Sequence, residues 1–196
     1  MLYMNLPNHK KHIILTGPVQ SGKTSSLLHW AANRAGNEDC DNSSSNPMAV
    51  YGILTPVVPT TAGPKRVFMD IQTRVLFDME AANPNDLPPN ELLHVGRYVF
   101  LKSGFSQAEA ILLAAMQQQT PGWLLIDEIG PLELGGQGLA SAATLAGQYD
   151  AAHLLRVIWV VRNGLVEQVK NRFLADWLSN DEDSVAVVQK YTIHNL

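Results

Sequence analysis

The 196-residue chain is long enough for one domain with a sizeable core, and 46% apolar with 16% charged residues is the balance of a folded globular protein, not a disordered one. A net charge of -4 argues against broad electrostatic attachment to nucleic acid or to an anionic membrane, since each selects a basic surface. A single cysteine, Cys40, excludes an internal disulfide and a cysteine-rich zinc site, and no apolar run approaches a membrane span, so a cytoplasmic protein with neither membrane nor nucleic-acid partner is expected.

HIILT (12–16) is a short β-branched apolar run that stops at Gly17 and predicts a buried strand. Residues 24–35 then place Leu27, Leu28, Ala31 and Ala35 on one face at helical spacing, with Gly36 available to end the helix. The polar stretch GNEDCDNSSSNP (36–47) reads as a linker. YGILTPVVP (51–59) and RVFMDIQT (66–73) flank TTAGPK and predict a β-hairpin, which RVLFDME from Arg74 extends as a meander. NPNDLPPN (83–90) is too rich in proline to be regular, and HVGRYVF (94–100) returns to strand character.

SQAEAILLAAMQQQ (106–119) predicts a helix whose first turn Ser106 and Glu109 would cap reciprocally. It leads to the apolar strand of WLLIDE (123–128), a helix over 139–149, the strand VIWVV (157–161), the helix LVEQVKNRFLADWL (165–178) capped by Asn163, and a last strand VAVVQKYTI (185–193). Alternating strands and helices imply an α/β fold, a mainly parallel sheet flanked by helices. The expectation is a single domain over 1–196, with 48–100 a β-hairpin and meander region inside it.

GPVQSGKTS, between the first predicted strand and helix, matches G-x-x-x-x-G-K-[ST]. Such glycines let successive backbone N–H groups curl around a nucleotide's phosphates at the positive end of the following helix. Gly17, Pro18, Val19, Gln20, Ser21, Gly22, Lys23, Thr24 and Ser25 are therefore the candidate nucleotide-binding residues, with Lys23 reaching the β and γ phosphates and Thr24 placed to ligate Mg2+. Asp127, at the end of WLLID, fits the acid that holds the metal, and Glu128 beside it fits a base for a water aimed at the γ phosphorus. Arg162 would be delivered by its strand to the C-terminal edge of the sheet, where transition-state charge needs a cation; Arg66 and Arg97 are the other options. Glu133 gains no role beyond a hydrogen bond near the site. His94 and His153 lack ligand spacing, and Asp70 and Asp78 read as solvent-facing strand acids. No N-K-x-D string is present to read guanine, so ATP and GTP both stay open as substrate.

GPVQSGKT, GILTP with its following hairpin, HVGRYVF and above all IDEIGPLEL resemble, in family order, the P-loop nucleoside triphosphatases of the thermophile and cancer-related type, which carry a DEIG motif. The resemblance implies a RecA-like α/β core with an inserted β-hairpin region, and slow Mg2+-dependent hydrolysis of ATP, GTP and other triphosphates with loose base selectivity. It assigns the family's roles to Lys23, Thr24, Asp127 and Glu128. The chain departs from the family in its hairpin spacing, in VGRY where VGKY is more common, and in GGQG after Glu133. A small-molecule or nucleoside kinase and a nucleotide-gated binding module are the competing readings; no arginine-rich lid segment supports the kinase.

Overall fold

The computed structural model describes residues 6–7, 9–18, 21–36, 48–118, 120–148 and 155–189. Most of the 36–47 linker, together with Cys40 and His153, lies outside them.

Five strands run parallel in the order β10 (Val185–Gln189), β1 (His12–Thr16), β9 (Leu155–Val161), β8 (Gly122–Ile129), β2 (Ala49–Leu54). The apolar runs of β1, β9 and β8 are continuous because both faces are covered, and alternate residues serve opposite layers. On one face Ile13, Leu15, Leu125 and Ile158 pack with Leu27, Trp30 and Ala31 of α1 (Lys23–Gly36). On the other, Ile14, Leu124, Ile126 and Trp159 pack with α2 (Lys102–Met116), α4 (Ala140–Gly147) and α5 (Val166–Phe173).

The YGILTPVVP run divides in two. Its first part is β2, a central parallel strand on β8; only β3 (Val57–Thr60) forms the hairpin with β4 (Gly63–Asp70), and β4 turns antiparallel to the end of β2. Proline at 56, which has no N–H to give a ladder, separates the two parts. β5 (Leu76–Asp78) adds to β4 as the expected meander. HVGRYVF is the core of a second hairpin, β6 (Leu92–Val95) and β7 (Tyr98–Leu101), turned at Gly96, whose φ of +56° suits glycine.

Two expected caps are corrected. α2 starts at Lys102, running directly out of β7, so Ser106 lies inside the helix and Glu109 instead accepts the Ala142 N–H at 3.2 Å. The helix at 165–178 is not capped by Asn163; α5 begins after Leu165 and breaks at Leu174, before α6 (Ala175–Asn180). Packing explains the break: Leu174 is fully buried, and Gly147 approaches the Phe173 carbonyl so closely that a Cβ there would lie 1.9 Å from the oxygen. Trp177 then reaches the Gly147 carbonyl through its indole N–H at 2.6 Å.

Candidate functional site

β1 delivers the chain to a glycine turn and α1 leaves it. Gly17 (φ +148°) and Gly22 (φ +76°) occupy backbone conformations that side chains disfavour, which is what the motif's glycines are for. Val19 and Gln20 lie outside the described residues. Lys23 is buried within the turn: its ammonium donates to the carbonyls of Gly17 at 3.0 Å and Pro18 at 2.8 Å, and lies 3.5 Å from the Ser21 hydroxyl. The first N–H groups of α1 have no partner within the helix, so the turn presents donors together with a cation.

β8 ends beside this turn. Asp127 is 1% exposed, and its Oδ2 accepts the Thr24 hydroxyl at 2.9 Å and the Thr55 N–H at 3.0 Å. Burial pushes its pKa up from 3.8 to about 6; the Thr55 and Thr24 hydrogen bonds oppose the rise and the Glu128 charge adds to it. Thr55, the residue after β2, was not foreseen as part of the site. Its signal was positional, since it stands at the end of the strand that neighbours β8.

At Glu128 the β8–β9 register slips: Asp127 faces Val160, but Ile129 faces the next residue, Val161. Glu128 is thus an extra residue in the ladder, and its side chain stays partly exposed at the strand end. Arg162, following β9, is tied to the same point by its N–H to the Ile129 carbonyl (3.2 Å), and its Nε lies 3.6 Å from a Glu128 oxygen. Sequence thus brought Lys23, Thr24, Asp127, Glu128 and Arg162 to one edge of the sheet. Arg66 stands further out, its guanidinium 3.8 Å from Glu80 and 4.6 Å from the centre of the Tyr98 ring. Arg97 is exposed at the second hairpin's turn, where it donates to the Tyr98 hydroxyl at 3.0 Å. Asp78 pairs with Lys65 at 2.8 Å, and Asp70 holds its own turn through Gln72 and Thr73.

Glu133, unexplained in the sequence, is 2% exposed and serves the loop behind the site. It lies in the short helix α3 (Pro131–Leu134), where its Oε2 accepts the Gly130 N–H at 2.8 Å and its Oε1 faces the Leu139 N–H at 3.4 Å. Burial raises its pKa from 4.5 to about 7 against those hydrogen bonds. Gly138 (φ +61°) makes room for it: a Cβ there would lie 2.4 Å from Oε1. The carboxyl therefore closes the 130–139 loop on itself, fixing the chain that leaves Glu128.

A mainly parallel sheet flanked by helices, with a glycine turn between its β1 and α1 and an acid at the end of β8, one strand removed from β1, defines a P-loop nucleoside triphosphatase fold. A family model described as NTPase matches residues 12–190, and the chain belongs to that family. It is accordingly an enzyme that binds a nucleoside triphosphate and hydrolyses it. No curated protein and no solved structure matches it. Among the described residues, no helix is long and apolar enough to cross a membrane.

Proposed function

We propose that the chain hydrolyses ATP or GTP to the diphosphate and phosphate in a Mg2+-dependent reaction, as one domain whose 17–25 turn holds the phosphates. The observation that carries this reading is the 2.9 Å contact between the Thr24 hydroxyl and Asp127, which joins the turn to the acidic strand end. The donor set suits Mg2+: two protein oxygens converge, while no cluster of three or more His, Cys, Asp and Glu side chains among the described residues offers a protein-only cage. Mg2+ characteristically takes one or two protein oxygens and completes its shell with phosphate and water. When bound, it would neutralise charge on the β and γ oxygens.

The remaining steps belong to the chain. Lys23 exchanges the loop carbonyls for β and γ phosphate oxygens, keeping its ammonium where it lies. The Thr55 N–H and the Thr24 hydroxyl hold Asp127 in orientation. Glu128, outside the regular ladder, accepts a proton from the attacking water, and Arg162 is near enough to steady that carboxylate or to meet charge developing on the γ phosphate. Slow turnover and loose base selectivity carry over from the family resemblance, and the lack of an N-K-x-D string agrees with the latter.

Phosphate release from each triphosphate, with and without Mg2+, tests the reaction. Glu128→Gln should lower kcat by about 10^2- to 10^4-fold while triphosphate binding persists. Release at the wild-type rate in that variant would remove Glu128 as the base.

A further inference from the structure

The end of β8 and the two hairpins enclose a small cavity of about 40 Å³, with Glu128 and Arg162 in its wall. A buried water needs on the order of 10 to 15 Å³ and about two to four polar partners, so the space suits a few waters and nothing much larger. Most of the lining is already engaged or has nothing to offer them. Val95, Phe100, Phe105 and Leu132 are apolar. The Arg66 guanidinium is taken up by Tyr98 and lies 3.8 Å from Glu80, both Glu133 oxygens face backbone N–H groups, and Thr55 gives its N–H to Asp127. Glu128 and Arg162 remain, side by side.

The Arg162 Nε lies 3.6 Å from a Glu128 oxygen, too far for a hydrogen bond, and although it is buried it has no hydrogen-bond partner among the described residues. An N–H shut away without an acceptor is costly. A gap of this length between a donor and a carboxylate is one that a water closes, taking the N–H on its oxygen and giving a hydrogen to the carboxylate. The direction fits as well. Thr24 of the turn meets Asp127, and among the described residues none of the 17–25 turn lines the cavity. In-line displacement puts the attacking oxygen opposite the bridging oxygen that leaves. With the diphosphate held by the turn, the attacking oxygen enters from the side away from it, and the cavity opens on that side of Glu128.

Resting on the reading of Glu128 as the base, we propose that Arg162 is a second catalytic residue, one that holds the attacking water. Its Nε–H donates to the water oxygen while the water donates to Glu128, and the cavity is the store from which that water is replaced after each turnover. The water oxygen bonds to the γ phosphorus as the bond from that phosphorus to the β–γ bridging oxygen breaks. Glu128 takes the proton, and the nucleoside diphosphate leaves with the electron pair.

The test measures, in the whole protein with Mg2+, single-turnover release of phosphate from a γ-labelled triphosphate and the Kd of a non-hydrolysable analogue. Arg162→Gln should slow release by about 10^2-fold, the cost of a misplaced reactant, and leave the analogue's Kd within about twofold. Arg162→Lys, which keeps the charge but loses the Nε–H, should share that loss. The backbone N–H of Arg162, not its side chain, bonds the Ile129 carbonyl, so the strand end is kept in both variants. Because the two side chains hold one water, adding Arg162→Gln to Glu128→Gln should cost little more than Glu128→Gln alone. Val95→Leu, which pushes a larger side chain into the cavity, should also slow release, with an unchanged analogue Kd marking a folded site. Losses that multiply in the double variant would put Arg162 on the phosphate and overturn the proposal, and so would a wild-type rate in Val95→Leu or Arg162→Lys. Arg162→Gln at full rate beside a crippled Glu128→Gln removes the water-holding role and leaves the base standing, whereas full-rate Glu128→Gln removes both.

Discussion

Glu133→Gln separates the loop-closing role of this acid from a role in the reaction. An amide is close in shape to the protonated acid, so the variant imitates the neutral form. Glu133 titrates near 4.5 when unfolded and at about 7 when folded, because the buried site disfavours its charge. A raised folded pKa means that the stabilisation is complete below the unfolded value and is lost as pH rises through the folded one. Between pH 5 and pH 8 the wild type should therefore lose about 2 to 3 kcal/mol that the variant does not. Comparing the two proteins cancels the titration of the groups that do not interact with Glu133; Glu128 is the charged neighbour that does.

Urea unfolding followed by tryptophan fluorescence measures the difference directly. At pH 5 the variant should be the less stable by about 1 to 3 kcal/mol, because both carboxyl oxygens face backbone N–H groups and the amide nitrogen cannot accept one of them. By pH 8 the variant should have gained about 2 to 3 kcal/mol on the wild type relative to that starting point. A gap that is the same at both pH values would show that Glu133 is as readily ionised folded as unfolded, and the account of the loop as built around a largely neutral carboxyl would fail.

His12 works with the opposite sign: burial, aided by the Lys11 charge, lowers its pKa from 6.5 to about 3, and its Nδ1 accepts the Trp159 indole N–H at 3.2 Å. Protonation of the unfolded chain alone should therefore cost the wild type about 2 kcal/mol between pH 7.5 and pH 5 relative to His12→Phe, and parallel unfolding curves at the two pH values would refute it. Gly104→Ala, whose Cβ would lie 2.1 Å from the Asp78 carbonyl oxygen, should destabilise the packing of α2 on β5 by about 1 to 3 kcal/mol, read as a fall of several degrees in Tm. An unchanged Tm would mean that α2 can move away from β5 freely.

The strand, turn and helix at 12–36 and the acidic end of β8 were legible because their signals are local: a continuous apolar run, glycines at fixed spacing, and a polar residue where the run stops. The partnership of β2 with β8 was not, because its pairing is settled by residues some seventy positions away, and the run's β-rich composition suits a hairpin equally well. Thr55 was hidden for a different reason: the N–H that it gives Asp127 belongs to the backbone, which no side-chain pattern reports. Glu133 resembled a site acid in sequence; only its burial and the N–H groups of Gly130 and Leu139 show that its oxygens face its own loop. The cap inferred from Ser106 and Glu109 failed because β7 feeds α2 without a break, leaving a polar pair with capping spacing inside the helix.

The register slip at Glu128 is what puts adjacent acids in different surroundings. In a regular strand the residue after Asp127 would share the face of Leu124 and Ile126, which is the apolar layer beneath α2 and α4. A carboxylate there would be buried among side chains that offer it nothing, at a cost of several kcal/mol or the loss of its charge. Because Glu128 is the extra residue, Ile129 takes that apolar position instead, and Glu128 is left at the edge beside Arg162. Asp127 keeps the register of Leu125 and so stays on the α1 face, where Thr24 meets it. One inserted residue thus divides the pair between two environments: a buried acid held by neutral donors, and a partly exposed acid facing a cation at the mouth of the neighbouring cavity.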